Sequence, residues 1–340
     1  MNDNDCNEPI VLSSTIGYLS ENEHAFSLPL EGYAVGTKSR EFFKPTVCFI
    51  LKSRFFNLTI GTLRYLFAVS RRFEEIKKLT ALKSTKKGKR AIVLGNGPSL
   101  GYLDNVKLKM CQVNGDEIFG VNVWTSTHLK CIAPNYYVIS DGITLANEET
   151  AFGSALSDKV KKQNAELTTF LNERKDVRIF CPLVRVRELA ERFSAERVTG
   201  FVDHEMRGVT SNIDPRFPRG YVSMTLFKTL AIAIHMGYDE IFLLGMDNTY
   251  PRDMFCDNKN KPYRLQRHAG GRDTIFDQSA VYPNIAVWLQ DLADLFSDLH
   301  RCFKGYSITN LDPYSLTDAF PKIDSLASLN HVLNIVPDEL

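Results

Sequence analysis

The chain has 340 residues, 44% hydrophobic and 24% charged, enough for one large domain with appendages and a core that needs no covalent staples. With 41 basic and 40 acidic residues the net charge is +1, which gives no reason to expect a nucleic-acid partner. Seven cysteines, an odd number without a C-x-x-C pair or a Cys/His cluster, read as reduced thiols and offer no zinc site.

Residues 1–45 read as an irregular segment with neither a basic leader nor an apolar run, so a cytoplasmic location is expected. Residues 46–88 read as a basic, helical extension and linker. Between Lys52 and Arg90 there are twelve Lys or Arg and two acids, Glu74 and Glu75. Phe55, Phe56, Leu58, Ile60, Leu63, Leu66 and Phe67 fit one amphipathic helix. It either packs on the domain edge, or it anchors 47–90 at the inner face of an anionic membrane. Lys52, Arg54 and Arg64 interrupt the apolar stretch too often for a membrane span. Lys83–Arg90 reads as a polar linker and a boundary.

From residue 89 to 325 short apolar runs alternate with helical patterns. Strands are predicted at Ala91–Leu94, Glu117–Val123, Asn135–Ser140, Val177–Cys181 (stopped by Pro182), Arg197–Val202, Glu240–Leu244 and Tyr306–Thr309. Helices are predicted at Ala155–Arg174, Ser223–Met236 and Asn284–Cys302. This alternation implies an α/β domain: a doubly wound, mostly parallel Rossmann-like sheet with helices on both faces. Residues 248–280 read as a lid, with Pro251–Arg272 a long charged loop lacking helix or strand pattern, and 326–340 as a tail.

In such sheets ligands bind beyond the carboxyl ends of the strands. The first strand ends in Gly95-Asn96-Gly97-Pro98-Ser99, where glycines let the backbone approach a ligand and a following helix could offer its N–H groups to a phosphate. The dinucleotide fingerprint fails, because Leu100 stands where its third glycine belongs and the second strand ends in Asn122 rather than an acid. Asn122 can read a base or ribose, or cap a turn. Asp141 can accept a hydroxyl or cap a helix. His268, in the lid, is either a proton acceptor or a solvated loop histidine.

The runs AIVLGNGPSL (Ala91–Leu100), LAIAIHMGYDEIFLLGMD (Leu230–Asp247) and YSITNLDPYSLTDAF (Tyr306–Phe320) resemble bacterial sialyltransferases of glycosyltransferase family 42. They also resemble the related MptE-like proteins, named after a 6-hydroxymethylpterin diphosphokinase, and the flagellin-modifying motility accessory factors. The resemblance covers roughly Lys89 to Ile323. It implies that Gly95, Asn96 and Gly97, with Pro98 and Ser99 in the same turn, contact a nucleotide. Asn122 and Asp141 would lie near the donor, Ser223 or Thr225 at a helix start near the donor carboxylate, and Asp247 on the nucleotide. Tyr250 would support the leaving phosphate, and His268 would deprotonate the acceptor. The family's Thr-Ser-Gly at the helix start is absent, and Asp141 replaces an amide.

The expected function is transfer of a sugar, including a nonulosonic acid, from a CMP-linked donor to a glycan hydroxyl in surface polysaccharide or glycoconjugate synthesis. No cofactor beyond the nucleotide-sugar and no resident metal is expected. The alternatives are an MptE-like, magnesium-dependent phospho- or diphosphotransferase and a non-catalytic nucleotide-binding protein. Homo-oligomer formation is left open.

Overall fold

The computed structural model describes residues 72–122, 132–142, 144–146, 158–206, 208, 210–220, 224–248, 250–266, 274–278, 282 and 284–335, with five positions between 59 and 70. Most of the amphipathic helix predicted over 55–67 therefore lies outside the described residues. Thr59, Thr62, Leu63, Leu66 and Ser70 are helical, and Leu63 and Leu66 are exposed.

Seven strands form one parallel sheet: β1 (Arg90–Leu94), β2 (Glu117–Val121), β3 (Tyr136–Val138), β4 (Arg178–Pro182), β5 (Val198–Phe201), β6 (Glu240–Leu244) and β10 (Ile308–Asn310). Their order is β10-β6-β1-β2-β3-β4-β5. The chain builds outward from β1 to β5, then returns to the other side of β1 for β6. The switch in strand order therefore falls between β1 and β6.

Both faces of the sheet are covered, which is why its strands read as continuous apolar runs rather than alternating ones. Along β1, Ala91 and Val93 enter one core while Ile92 and Leu94 enter the other. The first core holds residues of α1 (Phe73–Ala81), α5 (Thr225–Met236) and α7 (Ile285–Cys302). The second holds residues of α2 (Asn105–Val113), α3 (Asp158–Glu173), α4 (Val186–Phe193) and α8 (Leu329–Val332). This is the doubly wound α/β arrangement expected. Helix α5 is buried almost all round, and even its Lys228 is fully buried, with its ammonium on Asp203.

The element ends differ from the sequence reading for local reasons. β2 stops at Val121 because Asn122 takes the left-handed conformation, φ +44°. Pro182 is the last residue of β4 rather than its stop, paired with Phe201 where no further N–H is needed. β10 lies two residues beyond its predicted start, because Gly305 (φ +87°) opens a turn in which Tyr306 N–H bonds to Phe303 O. Asn284 caps α7, its side chain accepting from Val287 N–H at 3.0 Å.

Two corrections are larger. The predicted linker 83–90 is bonded into the domain. Ser84 N–H donates to His235 O, Lys86 N–H to Met236 O, and the Lys86 and Lys89 ammonium groups to Glu117. Helix α1 before it packs on β5 with Leu79 fully buried, so no boundary falls at residue 88. The predicted loop 251–272 is not irregular over its described residues, 251–266. A short helix α6 (Tyr250–Asp253) leads into an antiparallel sheet of β7 (Met254–Cys256), β8 (Pro262–Gln266) and β9 (Thr274–Asp277).

Among the described residues no helix is long and apolar enough to cross a membrane. The four described cysteines are unpaired, with Cys111, Cys181 and Cys302 buried and Cys256 exposed.

Candidate active site

The turns after β1 and β6 lie against each other at the switch point. Gly95 N–H donates to Leu244 O at 2.7 Å, and Gly97 N–H to Gly245 O at 3.0 Å. A Cβ on Gly95 would stand 2.4 Å from Gly245 O, and one on Gly97 would stand 1.9 Å from Asp247 Oδ2. Gly245 itself sits at φ +80°, where a side chain is strained. The glycines of 95–97 are thus explained by the close passage of two strand-end turns.

This corrects the reading of that turn as a phosphate cradle. Gly97 N–H is spent on Gly245 O, Pro98 has no N–H, and Ser99 N–H donates to Asp247 Oδ2 at 3.2 Å. The predicted helix start is a five-residue 3₁₀ turn, Pro98–Tyr102. The free helix amino end lies across the cleft, at α5. Its cap residue, Met224, makes no side-chain cap bond, and the first intrahelical N–H is that of Lys228, bonded to Met224 O. The Thr225, Leu226 and Phe227 N–H groups precede it and carry the positive end of the helix dipole.

Two cavities open at this edge. The smaller, about 180 Å³, is lined by Asn96, Gly97, Asn122, Met224, Thr225 and Leu226, with Leu265 of β8 reaching it from the lid. The larger, about 390 Å³, is lined by Ser99, Tyr102, Arg252, Asp312 and Tyr314. Pro98, Asp247 and Asp253 line both. The structure therefore brings Asn96, Gly97, Pro98, Asn122, Thr225 and Asp247 around one space.

Asn122 has a structural task at its rim. Its Oδ1 accepts from Ser140 N–H (3.1 Å) and Asp141 N–H (3.2 Å), and its Nδ2 donates to Thr225 Oγ1 at 2.8 Å. Tyr137 OH donates to its carbonyl. One Nδ2 hydrogen is left for a ligand. Ser140 Oγ meets Thr225 Oγ1 at 2.6 Å, so β2, β3 and α5 are clasped at one point. Asn96 differs: its Oδ1 is buried without a hydrogen-bond partner. Asp141 lines neither cavity, and its carbonyl accepts from Arg185. Ser223 and His268 lie outside the described residues, as does the side chain of Tyr250.

The sequence reading missed Asp312, Tyr314, Tyr102 and Arg252. The signal for Asp312 was available, since it is an acid just past the end of a parallel strand, as Asp247 is. Both are buried, at 6% and 3% exposure. Asp247 is held rigidly. Ser99 N–H donates to its carboxylate, and its carbonyl accepts from Leu316 N–H and Ser315 Oγ. Asp312 Oδ1 accepts from Tyr314 N–H at 2.9 Å. The two carboxyls meet, and Asp247 Oδ1 has no donor facing it. Burial first, then the Asp312 carboxyl, lift Asp247 to about 7, against the opposing pull of Ser99. Burial and the same two acids also raise the Tyr102 phenol.

No family model matches this chain, and no curated protein does. Among solved structures, the MAf glycosyltransferase from Magnetospirillum magneticum AMB-1 superposes with a TM-score of 0.40 at 15% identity, over 76% of this chain. The chain spans 39% of the length of that protein. Similarity at that level transfers no activity.

Proposed function

We propose that this protein is a glycosyltransferase that moves a sugar from a CMP-linked donor to a glycan hydroxyl. The reading is carried by one observation: the smaller cavity is lined by the uncapped start of α5 and by Asn96, whose buried Oδ1 lacks a hydrogen-bond partner. The uncapped amides at the start of α5 call for an anion, and the unpartnered Oδ1 of Asn96 calls for a hydroxyl or amine hydrogen. A nucleotide-sugar supplies both. The cavity lies beside the switch in strand order, where ligands of open parallel sheets bind. CMP is named because the runs at Ala91–Leu100 and Leu230–Asp247 resemble family 42.

The leaving group is the phosphate of the nucleotide. The helix amino end stabilises the charge it gains, while the cleft holds donor and acceptor in line. Thr225 stands at the helix start, positioned by Asn122 and Ser140 rather than free to swing.

Thermal unfolding of the protein with CMP, a CMP-linked sugar, or ATP with magnesium tests this reading. Stabilisation by the cytidine ligands, followed by release of CMP when a glycan acceptor is added, is the expected result. Stabilisation by ATP alone would favour phosphotransfer. No shift with any of them would favour a non-catalytic role.

A further inference from the structure

The larger cavity is lined by Asp247, Asp253 and Asp312 with one cation, Arg252, and by two tyrosines that its neighbour lacks. Two buried carboxyls, Asp247 and Asp312, form its base, and two tyrosines, Tyr102 and Tyr314, stand at its walls. This lining suits an uncharged polyol, since carboxylates accept hydroxyl hydrogens and aromatic faces take the apolar face of a sugar ring. Asp247 also lines the smaller cavity, so it stands where the contents of the two meet. It is more than nine-tenths buried, and its Oδ1 has no donor.

We propose that the larger cavity seats an uncharged carbohydrate acceptor, and that Asp247 is the base that removes its hydroxyl proton, with Asp312 positioning and tuning it. The proposal rests on the glycosyltransferase reading. The acceptor oxygen bonds to the anomeric carbon as the O–H electron pair is freed. The carbon–oxygen bond to the donor phosphate breaks, and its electron pair leaves on CMP. The proton moves to Asp247, is shared with Asp312, and passes to solvent as product departs. This assigns to Asp247 the role that the family resemblance implied for His268.

The groups facing Asp247 are Asp312 and Tyr314 beyond β10, Arg252 and Asp253 on α6, and Tyr102 and Ser99 in the 3₁₀ turn. Asp312 is the acid in direct contact with it. As a base Asp247 must be ionised, so turnover should rise with pH through about 7. Removing the Asp312 charge should move that rise to lower pH.

The experiment compares wild type, Asp247→Asn and Asp312→Asn in three readouts: CMP-sugar binding, the pH profile of transfer, and the carboxyl-carbon NMR titration of the unliganded protein. We expect all three proteins to bind the donor. Asp247→Asn should lose at least ~100-fold in turnover. Asp312→Asn should shift both the pH profile and the Asp247 titration downward together. Near-full turnover in Asp247→Asn, or a wild-type Asp247 that titrates as an ordinary carboxylate, would overturn the proposal. If wild type binds no CMP-sugar, the glycosyltransferase reading fails instead, and the NMR titration still judges the pair.

Discussion

Buried carboxylates occur at both edges of the parallel sheet, and the fold treats them in opposite ways. At the amino edge Glu117 opens β2 and is 8% exposed. It accepts from Lys86 at 2.7 Å and Lys89 at 2.9 Å, and from the hydroxyls of Tyr136 and Tyr238. Burial would push its carboxyl up, but these donors outweigh it and bring it to about 2. Beside it, Asp116 takes both arms of the Arg90 fork at 2.8 Å. At the carboxyl edge Asp247 and Asp312 face each other instead, and among the described residues neither forms a salt bridge. Asp247 rises to about 7. The first arrangement neutralises charge in order to hold strands in register. The second leaves charge uncompensated where two cavities join, at a cost in stability, and such sites are where protons are handled.

Four substitutions sharpen or break this contrast. The largest effect is expected from Gly97→Ala. Its Cβ would enter the Asp247 carboxylate and crowd Gly245 O, so Asp247 must leave its place. Turnover should fall to background and stability by about 3 kcal/mol, measured by urea unfolding. A normal enzyme would show that the two turns are not locked together.

Next is Glu117→Gln at the amino edge. It leaves the Lys86 and Lys89 charges without a counter-ion, with a loss of about 2 kcal/mol at pH 7, and should spare turnover. The Glu117 pKa is depressed on folding, so its contribution is complete above the unfolded value of 4.5 and disappears as pH falls through about 2. The variant and wild type should therefore converge in strong acid.

Asp247→Asn should act with the opposite sign. A carboxyl whose pKa is raised on folding stabilises most below its unfolded value of 3.8 and loses that benefit as pH rises through about 7. The variant should match wild type near pH 4 and exceed it by ~1–2 kcal/mol at pH 8, read as a difference in urea midpoint. Equal stability at both pH values would remove the distinction between the two edges.

The smallest effect on the pH profile is expected from His268→Ala. Whatever it does to rate, the rise through about 7 should persist under the proposal that Asp247 is the base. A profile that lost this rise would return the role of base to His268.

The sheet was legible because its central strands bury both faces and read as unbroken apolar runs, Ala91–Leu94 and Ile241–Leu244. The strands of the lid were not legible. They are short, mixed in polarity and partly exposed, and their pairing depends on the cross-strand partner rather than on their own composition. The turn 95–99 was found at the right edge of the sheet but given the wrong physical reason. Glycine permits close approach, and nothing local says to what. Here the partner is Gly245, some 150 residues away in sequence. Thr225 was found as a helix start. That α5 rather than Pro98–Tyr102 supplies the free amides depends on helix length and on cap bonds that a single sequence does not display.

The most direct test is a crystal structure of the protein soaked in CMP. Phosphate density within hydrogen-bond reach of the Thr225 and Leu226 amides, with the sugar or base against Asn96 Oδ1, is the result this account predicts. Phosphate bound elsewhere, or an empty cavity at saturating CMP, would contradict it.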